Sequence, residues 1–334
     1  MIVWELLGDP TFRTVLLGTM GIGAVSGSVG CFAYLRRQSL VGDVVAHSSL
    51  LGIMVFFLIS YWLTGEGSKS LFVLIPGAML AGILALALSQ WIVDRTSVRE
   101  DSGLGVMLAI FFGTGILLLR WVQKTNPPIP GRRGLDSYLF GMAASMTQAD
   151  LVMIAIVGVG SIATMLLLWK ELKVFTFDPL LTQSLGYRTR WLDWLMIAIF
   201  VNGIVIGIQC IGVVLIIAML VAPAAAARQW TESLESMVLL AAVIGASCAA
   251  IGTIVSAVVS GVPTGPVIVL AGSIVVLGSI LFAPKRGILF GDRKGRSAAM
   301  PIPSQGVSAV SYTHLRAHET EADLVCRLLL EKKK

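Results

Sequence analysis

Long apolar stretches separated by short clusters of charge, glycine and proline recur from about residue 12 to residue 283. Each is close to the ~20 residues that a helix needs to cross a bilayer. The pattern predicts nine membrane helices, at 12–34, 44–63, 71–93, 103–122, 150–169, 191–207, 211–228, 236–260 and 266–283. The least regular stretch runs from Trp191 to Ala227 and is too long for one untilted helix. Gly203, Gly207, Gln209 and Gly212 interrupt it, so the reading divides it near Ile208; a single bent helix would leave eight spans. The expected fold is an all-α, polytopic transmembrane helical bundle.

Composition agrees with the pattern. Of 334 residues, 56% are hydrophobic and 13% charged, and the mean hydropathy is +0.86. A soluble domain carries about 25% charged residues, and no large soluble domain remains once the spans are removed. The formal net charge of +6 belongs mostly to one end. Residues 285–334 hold ten Lys/Arg and five Asp/Glu, which leaves +1 for residues 1–284. A nearly neutral membrane body gives no ground for a nucleic-acid partner.

Loop charges orient the spans. Arg36 and Arg37, Arg95 and Arg99, the group Lys170, Lys173, Arg188 and Arg190, and Lys285 with Arg286 all mark cytoplasmic segments if nine spans begin outside. The expected orientation is therefore N-terminus outside and C-terminus cytoplasmic. Residues 120–149 break the rule. They hold Arg120, Lys124, Arg132 and Arg133 in a Pro-rich loop that must be external.

The first span carries Gly18, Gly21, Gly23, Gly27 and Gly30. Gly23 and Gly27 form a GxxxG step, which predicts close helix packing. Glu5 and Asp9 precede this span where a cleaved signal peptide would be basic, so it reads as a retained helix. Cys31, Cys210 and Cys248 lie in apolar runs and read as small buried residues, with no disulfide framework. Residues 1–290 form the membrane domain, 291–310 a linker, and 311–334 a non-native tail resembling translated sequencing-adapter read-through. His314 and His318 fall in that tail and are set aside with it.

One ionisable pair interrupts the apolar body. Asp43 and His47 lie four residues apart in a hydrophobic stretch, and positions i and i+4 share a helix face. An ionisable side chain within a span costs roughly 2.5–3.5 kcal/mol on insertion scales and marks a functional candidate. A carboxylate and an imidazole on one face can close on a cation or relay protons. The plainer alternative is a helix-cap Asp with a His bonded to a neighbour.

A second signal follows the fifth span. Asp178 suits an N-cap, Pro179 the first helical position and Gly186 a C-terminal stop, with Leu180, Leu181 and Leu185 on an apolar face. Such a helix can rest on the membrane or lay its apolar face into a groove of a soluble partner. No GxxxxGK[ST] phosphate loop and no HExxH occur, so a pump built on this chain takes its nucleotide chemistry from another subunit.

Five blocks carry a resemblance: Val41–His47, Glu100–Met107, Gly134–Ser145, Phe177–Gly186 and Gln209–Ala227, with Val262–Pro266 as a sixth. In that order they resemble the membrane permease subunits of ABC importers for divalent metals, the manganese/zinc/iron group, over about residues 12–290. The resemblance implies a type II ABC importer-like fold in a bacterial inner membrane and a transport subunit that is not itself an enzyme. It implies a second permease copy or a paralogue, cytoplasmic ABC ATPase subunits and an extracytoplasmic metal-binding protein. No cofactor is expected to be bound permanently; the metal ion is cargo. Asp43 and His47 correspond to transient ligands of the path, and Asp178, Pro179, Leu180, Leu181, Leu185 and Gly186 to the helix that couples to the ATPase. The Gly134–Ser145 block is nearer the manganese/iron branch than the zinc branch.

Ligand chemistry agrees. A two-fold axis would assemble two carboxylates and two imidazoles, a set suited to first-row divalent ions, while the lack of thiolate disfavours a structural zinc site. Two rivals remain. A proton-coupled secondary metal transporter would work without an ATPase. An intramembrane metalloenzyme needs about three protein ligands, and the body supplies one Asp/His pair.

Overall fold

The computed structural model describes residues 8–36, 39–65, 67, 68, 70–135, 139, 141, 143, 146–259, 261–284 and 287–289. The linker and the tail with its two histidines lie outside the described residues. The described part is helical: α1 (Pro10–Leu35), α2 (Ser39–Thr64), α3 (Leu71–Arg95), α4 (Glu100–Lys124), α5 (Gln148–Leu167), α6 (Trp169–Phe177), α7 (Pro179–Ser184), α8 (Thr189–Ile211), α9 (Ile216–Trp230), α10 (Leu234–Val258) and α11 (Thr264–Phe282). Eight of these are long and apolar enough to cross a membrane, and α9 is a shorter apolar helix.

Helix ends follow local chemistry. Asp9 caps α1 by accepting from the Thr11 N–H at 2.9 Å, with Pro10 in the first turn. Thr147 and Asp150 form a reciprocal capping box at the start of α5. Arg132, one of the cations that broke the charge rule, donates to the carbonyls of Gln123 (2.8 Å) and Thr125 (3.1 Å). It satisfies groups at the C-terminal end of α4, where a cation is favoured. Positive charge in this loop therefore has a local use apart from orientation.

The centre of the bundle is α1. It packs chiefly on α10, and further against α9, α5 and α8. Lipid tails are as apolar as the helices, so close backbone approach supplies much of the attraction. Gly23 faces Gly245 so tightly that a Cβ on either would collide with the other's carbonyl oxygen. Beside this contact Thr19 and Thr253 share a buried hydrogen bond of 2.8 Å. Cys31 and Cys248 are buried free thiols, as their apolar runs predict.

The division of the Trp191–Ala227 stretch needs correction. The break falls not near Ile208 but at Gly212, whose φ of +91° ends α8. Glycine alone adopts this backbone without strain. A Cβ on Gly207 would meet both Ile216 and Ile22, and one on Gly30 would meet Leu220, so α9 returns along α1. The stretch thus holds two helices, the spanning-length α8 and the shorter α9. With 15 residues, α9 is about 22 Å long at ~1.5 Å per residue and starts inside the bundle. Backbone at that depth needs partners, and Val214 N–H donates to the Leu139 carbonyl at 3.4 Å. Leu135, Ala143 and Met146 are buried as well.

Two ion pairs fix the opposite end. Arg36 meets Asp193 at 2.8 Å, joining the end of α1 to the first turns of α8. Lys173 meets Glu235 at 3.1 Å, joining α6 to the start of α10. The helix α6 is an addition to the sequence-based expectation. The fifth span ends at Leu167 rather than residue 169, and Leu172 and Phe175 then bury one side of a separate helix.

Candidate metal path

Asp43 and His47 lie in the second and third turns of α2. The helix begins at Ser39, so Asp43 is inside it and not at its cap. Small residues bring four neighbours close. A Cβ on Gly42 would touch Leu220 of α9 and Ile204 of α8, and one on Gly82 would touch Val45 of α2. A Cβ on Gly115 of α4 would stand 2.9 Å from the Leu51 nitrogen. Asp43 and His47 therefore occupy a half-buried face of a helix held by α3, α4, α8 and α9.

The imidazole of His47 stands edge-on to Phe112 of α4, with centroids 4.6 Å apart and planes at 66°. Its Nδ1 is buried and has no hydrogen-bond partner among the described residues. A buried polar atom without a partner costs about 1–3 kcal/mol, which folding alone does not justify. The adjacent hydroxyls do not compete for it: Ser48 and Ser49 both donate to the Val45 carbonyl, at 3.1 and 2.6 Å. Among the described residues no cluster of three His, Cys, Asp or Glu side chains could hold a metal. One chain therefore offers one carboxylate and one imidazole, too few to close a four-coordinate site.

A cavity of about 640 Å³ opens at the Arg36 end of the bundle. Its lining includes Arg36, Val41, Asp94, Glu100, Arg190 and Asp193. Val41 comes two residues before Asp43, so the cavity reaches the foot of the α2 pair.

The 178–186 segment folds as a capped single helix. Asp178 accepts from the Leu181 N–H at 2.9 Å, Pro179 occupies the first turn, and Gly186 closes the helix with φ +85°. Thr182 is fully buried and anchors the segment, its hydroxyl donating to the Asp178 carbonyl at 2.8 Å. The three leucines point the other way: Leu180, Leu181 and Leu185 are 78%, 47% and 58% exposed, flanked by exposed Phe177 and Tyr187. Sequence reasoning missed Phe112 and the Arg36–Asp193 pair. Both join residues distant in the chain, and a single sequence carries no signal for either.

Comparison with known proteins adds to this geometry. The model of the ABC 3 transport family matches residues 9–283. The chain is 39% identical over 286 residues to the manganese transport system membrane protein MntC of Bacillus subtilis, covering 86% of this chain and 64% of that protein. It is 40% identical, also over 286 residues, to the zinc transport system membrane protein TroC of Treponema pallidum, covering 86% of this chain and 93% of that one. The solved structure of PsaBC from Streptococcus pneumoniae in complex with Fab superposes with a TM-score of 0.74 at 28% identity, covering 86% of this chain and 98% of that chain.

Proposed function

Because this chain belongs to the ABC 3 transport family, we propose that it is the membrane permease of an ATP-driven importer for a divalent transition metal. Manganese is the favoured cargo, with zinc or iron as alternatives. The observation that carries the reading is the partnerless Nδ1 of His47, one turn from Asp43 on a half-buried face. A passing cation supplies the partner that the fold withholds. The carboxylate suits a hard ion such as manganese, and the imidazole suits zinc and iron. Two ligands per chain bind weakly enough for release, as permeation requires.

A second copy of the permease, or a paralogue, completes the site across a two-fold axis. The half-open face of α2 supports this, since a partner's Asp and His would give two oxygens and two nitrogens. The Arg36 end is cytoplasmic and the N-terminus external, in line with the basic residues at 36, 95, 99, 170 and 173. An external metal-binding protein delivers the ion. It passes Asp43 and His47 by alternating access and leaves through the cavity at the Arg36 end. A cytoplasmic ATPase seats α7, whose exposed leucines match a helix-in-groove contact.

Reconstitution tests the reading against a proton-coupled transporter. In vesicles holding the permease, its ATPase and its binding protein, metal uptake should require ATP and survive dissipation of the proton gradient. Uptake by the permease alone, abolished by an uncoupler, would contradict it.

A further inference from the structure

Arg36 makes three contacts that no sequence motif announces. Its guanidinium lies 4.4 Å over the ring of Phe175 in α6. Its Nη1 donates to the Asp193 carboxylate at 2.8 Å and to the Met196 sulfur at 3.4 Å, both in α8. One turn earlier, Phe32 meets Trp169 of α6 edge-on, with centroids 6.0 Å apart. The last turn of α1 therefore grips α6 near both of its ends. Phe175 is three residues from Asp178, the cap of α7, and α6 packs against α7.

The other side of Arg36 faces the cavity. Arg36 and Asp193 both line it, together with Val41 at the foot of α2. Arg36 stands between the docking segment and the wall of the exit space.

We propose that Arg36 is a positioning residue that transmits movement of α6 and α7 to α8 and the cavity wall. This rests on the reading of α7 as the ATPase-docking helix. A planar guanidinium can stack on Phe175 while bonding to Asp193; an ammonium meets one demand or the other. A shift of the docking segment then drags the Asp193 side of the cavity with it. Without the clamp the ATPase still docks and turns over, but its stroke is lost before the path.

The test uses the complete complex in vesicles, with Arg36→Lys, Asp193→Asn and the double variant. The measured quantity is manganese imported per ATP hydrolysed. Both single variants should assemble with the ATPase and hydrolyse ATP, while the ratio falls by about fivefold or more, within the range of ordinary coupling energies. The double variant should be no worse than the poorer single, because the two residues act as one unit. An unchanged ratio in either assembled single variant overturns the proposal. Failure of both to assemble overturns it too, since the contacts then serve folding alone. A Leu180→Glu arm tests the underlying reading separately: intact ATPase association in that variant refutes the docking assignment, whereas lost association with an unchanged ratio in the Arg36 and Asp193 variants refutes the clamp alone.

Discussion

Phe112 meets the His47 imidazole in a tilted, T-shaped pair from a different helix, 4.6 Å between centroids. Aromatic pairs of this kind contribute about 0.5–1.5 kcal/mol beyond the area that they bury. Phe112→Leu keeps the site apolar but releases the imidazole. Its metal uptake should show a raised KM, with a stability loss of no more than the pair's ~0.5–1.5 kcal/mol. An unaltered KM would mean that the ring only fills space.

Replacing His47 should separate stability from transport. Its Nδ1 is buried without a partner, and swapping such a group for an apolar one of similar size is neutral or stabilising. In a thermal melt of the purified permease, His47→Leu should match or exceed the parent's Tm while losing uptake. A Tm several degrees lower would show that the imidazole has a structural role.

Gly23 and Gly245 form a tight seam between α1 and α10, with no room for a Cβ on either side. Gly245→Val must force α10 away from α1 and break the neighbouring Thr19–Thr253 hydrogen bond. Overpacking of this sort costs about 1–3 kcal/mol. The variant should give a lower Tm and a lower yield of folded protein, while Gly21→Ala, which meets nothing within 4 Å, should not.

The crossings were legible because a bilayer imposes length and polarity on every span. The eight long spans and the close packing at Gly23 follow from runs and spacings within one segment. The break at Gly212 was displaced from the expected Ile208 because it depends on a left-handed backbone and on the Val214–Leu139 bond, neither of which hydropathy reports. The helix α6 was missed for a related reason: it has only nine residues and its two buried side chains, Leu172 and Phe175, meet partners far along the chain. Asp43 and His47 stood out because charge is rare in an apolar run. Phe112 did not, since one more aromatic there looks like packing. Arg36 read as a topological marker, and its bonds to residues 157 and 160 positions away appear only in the fold.

The exposed leucines of α7 give a prediction with opposite readouts. Leu180 is 78% exposed, so Leu180→Glu should leave the Tm unchanged yet weaken co-purification of the ATPase by about tenfold, as loss of a central apolar anchor does. Asp178→Ala removes the N-cap bond to Leu181 and should cost about 1 kcal/mol of local helix stability, with a smaller loss of association.

The central claim is that Asp43 and His47 carry the ion. The direct measurement is radioactive manganese uptake by the assembled complex with Asp43→Ala or His47→Ala, alongside its ATP hydrolysis and subunit stoichiometry. The account predicts intact assembly and uptake reduced to background in both variants. Full uptake by either variant, in a complex of normal stoichiometry, would contradict it.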